Sequence, residues 1–453
     1  MNKFYFIVLS LLFYSSCLFA QGEAGIDIGQ PINPSTGVIN LGTDTSIIGP
    51  TCTPWVRVNF ILGPWSSPND ITLYSGRTFL QTYDEIINKL IARGIQVYAL
   101  IGTEAYTNPG GTLEQYPGND STLSVAWING YTANFVSIVD HFKDRIRVFE
   151  SFNEPNNWTN SNTAIVHPAW FSLVLQNIYL ETKYFNSHDI DPAWQVTLVS
   201  GALFTFDLNS GGQYINDTYW YGKNVFAWDW THQQTGSYPL DGFGQHIYVE
   251  QGSSNAAAVS SAMTANLNDF WNNIYVYESD PNKKIYISEF GWESGIYGEQ
   301  FQSDNMTTGF NVLQNDARVQ LALWFSISDF PGGDWGIYFM GNFQPTDRKV
   351  AYYTFKNRMV CPVITSSPQP ENISDIKLIS ENGNYFLDLN LKSETVLRIE
   401  LLNTLGQKIK TQNPHLTMGK NIFKPDLENL PAGIYFLNVT TGRSTSCFKL
   451  ILE

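Results

Sequence analysis

Two glutamates close short apolar runs: Glu154 in Val148-Phe149-Glu150-Ser151-Phe152-Asn153-Glu154-Pro155, and Glu289 in Lys284-Ile285-Tyr286-Ile287-Ser288-Glu289. Each carboxylate falls where a strand finishes and a loop begins. Two carboxyl groups sharing a pocket can break an acetal. One gives a proton to the leaving oxygen, while the other attacks from the opposite side or activates a water there. That division requires one carboxyl to stay protonated and the other ionised, so their surroundings must differ. Arg57, near the end of Trp55-Val56-Arg57-Val58-Asn59-Phe60, is a fixed cation that would keep Glu289 ionised.

The elements that must position these groups alternate between strand and helix patterns. Trp55–Phe60 is β-rich, and Phe79–Ala92 carries Phe79, Tyr83, Ile86, Ile87, Leu90 and Ile91 at helical spacing. Gly94 reads as the glycine after that helix, and Ile95–Ile101 as the next strand. The helix Leu123–Phe142 leads to the strand Ile146–Asn153, and a helix opening at Pro168 leads to Gln195–Ser200. Asp241–Tyr248, Lys284–Phe290 and Val319–Phe325 complete the series. With a first strand near Gly25–Gly29 there are eight, which predicts an α/β fold, the (β/α)8 TIM barrel. Glu154 then ends strand 4 and Glu289 ends strand 7. Both lie at the face where such barrels mount catalytic groups. His246 and Tyr248 are two apart on strand 6 and project to the same side.

Asn153-Glu154-Pro155 after one strand, with Ser288-Glu289-Phe290-Gly291-Trp292 after another, resembles the clan of retaining glycoside hydrolases built on (β/α)8 barrels, families 5 and 39 above all. The resemblance runs over roughly residues 25–360 through short motifs. It implies that Glu154 is the acid/base and Glu289 the nucleophile. It further implies that Asn153 binds a sugar 2-hydroxyl, that His246 and Tyr248 contact substrate and nucleophile, and that Trp324 floors the sugar subsite. Trp158, Trp228, Trp230, Trp292 and Trp335 stand in the surrounding loops as further stacking surfaces, Trp292 directly after the Glu289 motif. Glu104, Asp207, Glu250 and Glu293 are acidic rivals near strand ends without the flanking pattern. A barrel that binds glycans without cleaving them, and a transglycosylase using the same residues, are the alternatives. No His or Cys cluster suggests a metal, and no glycine-rich loop suggests a phosphate cofactor, so none is expected.

The chain has 453 residues, 43% hydrophobic and 15% charged, with a formal net charge of −15. From Glu371 onward basic and acidic residues balance, so the negative charge lies in the preceding part. A phosphate polymer needs a basic surface, which sets nucleic acid and anionic membranes aside and leaves a carbohydrate partner open. Lys3, the apolar run Phe4–Phe13 and Leu18-Phe19-Ala20 read as a signal peptide over residues 1–20, too short an apolar run to span a bilayer. The expected product is a secreted or cell-surface monomer with no membrane span. Cys52 would precede strand 2 and Cys361 would follow the last helix, which suggests a Cys52–Cys361 disulfide.

Every tryptophan precedes Cys361, after which a Pro- and Ser-rich stretch reads as a linker. The expected division is a barrel over 21–361, a linker over 362–370 and a β-sandwich over 371–453. The tail shows short strands at Ile376–Ile379, Tyr385–Leu389, Thr395–Leu402 and Gly433–Val439, separated by turns. Leu401-Leu402-Asn403-Thr404-Leu405-Gly406-Gln407, Leu430-Pro431-Ala432-Gly433-Ile434-Tyr435-Phe436-Leu437 and Lys449-Leu450-Ile451-Leu452 resemble the C-terminal sorting domain of type IX secretion in Bacteroidota. That resemblance implies the secretion machinery as a partner.

Overall fold

The structure is a computed structural model. It describes residues 22–106, 121–157, 166–185, 195–205, 210–278, 283–359, 373–381, 384–403, 408–428, 430–441 and 444–452. The signal-peptide, linker and Cys361 expectations lie outside these residues.

Eight positions around a closed parallel barrel are filled by strand 1 (Glu23–Asp27), strand 2 (Trp55–Asn59), strand 3 (Gln96–Ile101), strand 4 (Val148–Ser151), strand 5 (Thr197–Val199, continued by Leu203–Thr205), strand 6 (Gly242–Ile247), strand 7 (Lys284–Phe290) and strand 8 (Val319–Trp324). Strand 1 pairs in parallel with both strand 2 and strand 8, which closes the ring. The register of Ile26 against Val56 and Trp324 fixes which residues point inward.

Helices cover the outside. Phe79–Ile91 opens with a capping box in which Thr78 and Gln81 satisfy each other's backbone N–H groups. Its buried face is Phe79, Tyr83, Ile86, Ile87 and Leu90, and Gly94 follows at φ 71°. Ser121–Phe142, Pro168–Tyr179, Ser210–Val225, Ala256–Tyr275, Glu299–Asn315 and Val350–Arg358 complete the layer. A large continuous core lies between these helices and the outward faces of the strands.

The barrel interior holds a separate apolar group at its N-terminal end: Trp55, Tyr98, Val148, Val199, Tyr286, Leu321 and Leu323. Two glycines make room for it. A Cβ on Gly25 would lie 2.4 Å from the Trp55 carbonyl, and one on Gly242 would lie 2.5 Å from the Tyr286 ring. Large and small residues thus alternate around the ring, filling it rather than leaving a pore.

After the barrel, antiparallel strands form a three-stranded sheet (Ile373–Glu381, Asn384–Leu391, Gly419–Phe423), a four-stranded sheet (Lys408–Gln412, Arg398–Leu402, Gly433–Thr441, Ser444–Leu452) and a two-stranded ribbon. Leu387, Leu389, Ile399, Leu401, Leu437 and Val439 are buried in the core they share. This is a small all-β domain following the TIM barrel. Among the described residues no helix is long and apolar enough to cross a membrane.

Candidate active site

Above the apolar plug the barrel interior turns polar. Arg57, one inward step beyond Trp55, is 3% exposed and sits at the centre. It donates through Nη1 to Asp27 (3.1 Å) and to Glu289 Oε1, and through Nη2 to Glu150 (2.9 Å) and to Asn153 Oδ1 (2.8 Å). A guanidinium has only donors, so Asn153 must present its oxygen to Arg57, which turns its NH2 group away from the arginine. Glu150 is also bonded by the Tyr98 hydroxyl at 2.6 Å and the Ser288 hydroxyl at 2.7 Å.

The two glutamates of the sequence motif meet at the mouth. One oxygen of Glu154, one oxygen of Glu289 and one ring nitrogen of His246 lie within 4.8 Å of one another. Glu154 Oε1 is 2.8 Å from His246 Nδ1, and its Oε2 accepts from Asn157 at 2.7 Å. Glu289 Oε1 accepts from Arg57, and its Oε2 accepts from Tyr248 at 2.7 Å. Burial alone would push the Glu289 carboxyl up, but His246, Arg57 and the Tyr248 hydroxyl together hold it below the usual glutamate range. Burial works against a charged His246, yet Glu289 and Glu154 more than offset it, and its pKa is raised. Asp27 goes the other way: burial pushes it up despite Arg57, and the nearby Glu289 charge adds to the rise.

Glu154 is held by its backbone as much as by its side chain. It adopts φ 48°, and Phe152 adopts φ 62°. This left-handed region costs a non-glycine residue about 1–2 kcal/mol. The Glu154 N–H donates to Ala202 O at 3.0 Å, and the Asn157 N–H donates to Glu154 O at 2.9 Å. Ala202 belongs to the break within strand 5, so the neighbouring strand fixes the turn that aims Glu154 inward.

Glu154, His246 and Glu289 are also the group of metal-ligating type found among the described residues. Every carboxylate oxygen of the set already has a protein donor or the His246 ring beside it, and the Arg57 guanidinium abuts Glu289. A divalent cation would have to displace those bonds and sit against that positive charge. The residues do not fit a metal.

Six of the eight expected site residues come together: Glu154, Glu289, Arg57, Asn153, His246 and Tyr248. Trp324 and Trp292 do not. Both are fully buried in the core between strands and helices, with ring centroids 6.3 Å apart, and Trp324 packs edge-on against Phe290. The physical reason is parity. Leu321 and Leu323 point into the barrel, so Trp324 points out and Phe325 points in. At the mouth Phe325 and Trp335 are half-buried, and the Trp335 ring lies 5.2 Å from that of Tyr248. Trp228 is core, Trp230 is exposed beside Tyr184, and Trp158 lies outside the described residues.

Sequence reasoning missed Asp27, Glu150, Asn157 and Ser288. Glu150 could have been found, because a carboxylate in the middle of an apolar strand has to be paired. Of the rival acids, Glu104 lines the site cavity, Glu250 is exposed, Glu293 is partly buried and Asp207 lies outside the described residues. Cys52 is disulfide-bonded.

Residues 381–453 match the secretion system C-terminal sorting domain. No curated protein matches the sequence. Solved structures similar to the chain include a family 39 glycoside hydrolase from the gut symbiont Bacteroides cellulosilyticus WH2 (13% identity, 90% of this chain and 82% of that one, TM-score 0.46). A Cellulomonas fimi endo-beta-1,4-mannanase double mutant (11%, 96% and 94%, 0.47) and a GH128 (subgroup II) endo-beta-1,3-glucanase from Sorangium cellulosum (14%, 74% and 97%, 0.40) are similar too. Identities and scores of this size say nothing about substrate. The C-terminal match does bear on location: the chain carries a type IX sorting domain, which directs it to the secretion machinery and to the cell surface or the extracellular space.

Proposed function

We propose that the barrel is a retaining glycoside hydrolase acting on β-linked sugars of a polysaccharide or oligosaccharide. The observation that carries this reading is that one oxygen of Glu154 lies within 4.8 Å of one oxygen of Glu289. Retaining enzymes hold the pair at about 5–5.5 Å, whereas inverting enzymes leave about 6.5–9.5 Å for a water.

In the first step a Glu289 oxygen attacks the anomeric carbon. The bond to the leaving oxygen breaks, and the Glu154 proton goes to that oxygen. In the second step water attacks the glycosyl–Glu289 ester, its proton passes to Glu154, and Glu289 leaves as a carboxylate. Arg57 and Tyr248 keep Glu289 ionised and oriented, so its charge is available without rearrangement. The Asn153 NH2 group is the donor placed for a sugar hydroxyl. Asn157 and His246 hold the Glu154 carboxyl toward the same centre.

Rescue by azide tests the assignment. Glu289→Gly should be inactive on aryl β-glycosides and should form an α-glycosyl azide when azide is added. Glu154→Ala should lose roughly 10²–10⁴-fold on substrates with poor leaving groups. With azide it should give the β-glycosyl azide. Full turnover by Glu289→Gly without azide removes the nucleophile assignment, and a wild type that binds glycans but releases no reducing ends removes the hydrolase.

A further inference from the structure

On the mechanism proposed above, the leaving oxygen sits beside Glu154, so the two parts of a cut chain lie on opposite sides of that point. The cavity of about 560 Å³ is on the Glu289 side: Asp27, Arg57, Asn153 and Glu289 line it, and Glu154 does not. Its walls continue outward to Leu41, in the loop after strand 1, and to Phe330, in the loop after strand 8. It is therefore placed to receive the glycon, the part that stays bonded to Glu289 in the intermediate.

The inner and outer parts of this cavity differ in exposure. Asp27 and Glu289 are 6% and 7% exposed, whereas Phe330 is 41% and Leu41 is 49% exposed. A pocket shaped for one terminal sugar would be closed at its outer end, but this one opens to solvent between two apolar side chains. Phe330 is also held in place by its backbone. In the turn Phe330-Pro331-Gly332-Gly333, the Phe330 N–H donates to Gly333 O (3.1 Å) and the Gly333 N–H to Phe330 O (3.0 Å). Pro331 sets the first corner, and Gly332 at φ 102° supplies the second. The adjoining Asp329 accepts from Lys349 (2.6 Å) and from the Gly336 N–H (2.8 Å). The Phe330 ring lies 5.8 Å from that of Phe325 and extends the same aromatic wall outward. A ring fixed on a tight turn yet left in water offers flat apolar surface that a sugar ring can cover at little ordering cost.

We infer that the cavity holds more than one glycon unit, with Phe330 as the platform for an outer sugar, and that the barrel cuts within chains rather than trimming single sugars from an end. The inference rests on the retaining-hydrolase reading. It is tested with nitrophenyl β-glycosides of glucose, mannose and xylose bearing one, two or three glycon units, assayed with the full-length protein. The nitrophenyl group takes the Glu154 side in every case, so only the glycon changes. In a series that is turned over, kcat/KM should rise about tenfold or more from one unit to three, because binding energy from remote units is used at the reacting centre. Phe330→Ala should shrink that ratio about three- to tenfold, and Phe330→Trp should restore it. On the matching soluble polymer the first products should be oligosaccharides. Triosides no better than monosides, a ratio unchanged in Phe330→Ala, or release of the monosaccharide alone would each overturn the inference. No turnover in any series would instead remove the hydrolase reading, and the inference with it.

Discussion

The two ends of the barrel interior are built on the same strands and obey opposite rules. At the N-terminal end Trp55, Tyr98, Tyr286, Leu321 and Leu323 pack as a dry plug. One inward step further along strand 2, Arg57 replaces Trp55 and meets three carboxylates. Neighbouring positions on one strand therefore serve stability and chemistry separately. Burying apolar surface stabilises at roughly 25 cal/mol per Å². Burying an arginine with three carboxylates costs desolvation that the Coulomb attraction repays only while every partner stays in place. The upper layer is the part of the barrel that folding alone would not choose.

Arg57→Met breaks the comparison most severely. It leaves Asp27, Glu150 and Glu289 without their shared cation, and should lower stability by about 3–5 kcal/mol in urea titrations. Any folded fraction should turn over activated aryl glycosides at a rate at or near background. Trp55→Ala tests the other end. Loss of a buried tryptophan should cost about 3–5 kcal/mol, yet kcat for the folded enzyme should stay within about twofold of the wild type. Equal losses of kcat in the two variants would show that the layers are not separable.

A finer test uses pH. The folded pKa of His246 is raised, so its charge contributes stability that is complete below the unfolded value near 6.5 and is lost as pH rises through the folded value. Glu289 has the opposite sign: its folded pKa is depressed, so its contribution is present above about 4.3 and is lost as pH falls through the folded value. The melting-temperature gap between wild type and His246→Gln should narrow as pH rises above about 6.5, through the raised folded value. The gap between wild type and Glu289→Gln should narrow below about pH 4. Calorimetry across that range would reveal either sign reversed. The smallest effect is expected at Trp335, half-buried over Tyr248. Trp335→Ala should weaken glycan binding by roughly 0.5–1.5 kcal/mol, read as a higher KM with kcat little changed.

The contrast between the two layers also explains what could be read from the sequence. Strand order and the strand-end positions of the two glutamates follow from apolar runs; Arg57 and the His246–Tyr248 pair are pointed to by the resemblance, and the structure brings them beside Glu289. The resemblance implies Trp324 as the sugar floor, but strand parity decides otherwise: with Leu321 and Leu323 inside the barrel, Trp324 faces outward and Phe325 inward. Asp27 and Ser288 carry no local pattern, since a short polar side chain in a strand looks the same whether it faces solvent or an arginine. In the tail, strands Lys408–Gln412, Gly419–Phe423 and Ser444–Leu452 were not anticipated, because their apolar residues are sparse or flanked by charge.

The left-handed backbone at Glu154 has a consequence for how this sequence can drift. At φ 48° glycine carries no steric penalty and asparagine only a small one, whereas glutamate is held against its own preference. Selection for yield or heat resistance alone would favour replacing it, and under the proposed mechanism each such replacement removes the proton donor. On that mechanism only pressure on the reaction itself keeps that side chain in the chain, so position 154 would record whether a descendant of this protein still cleaves its sugar.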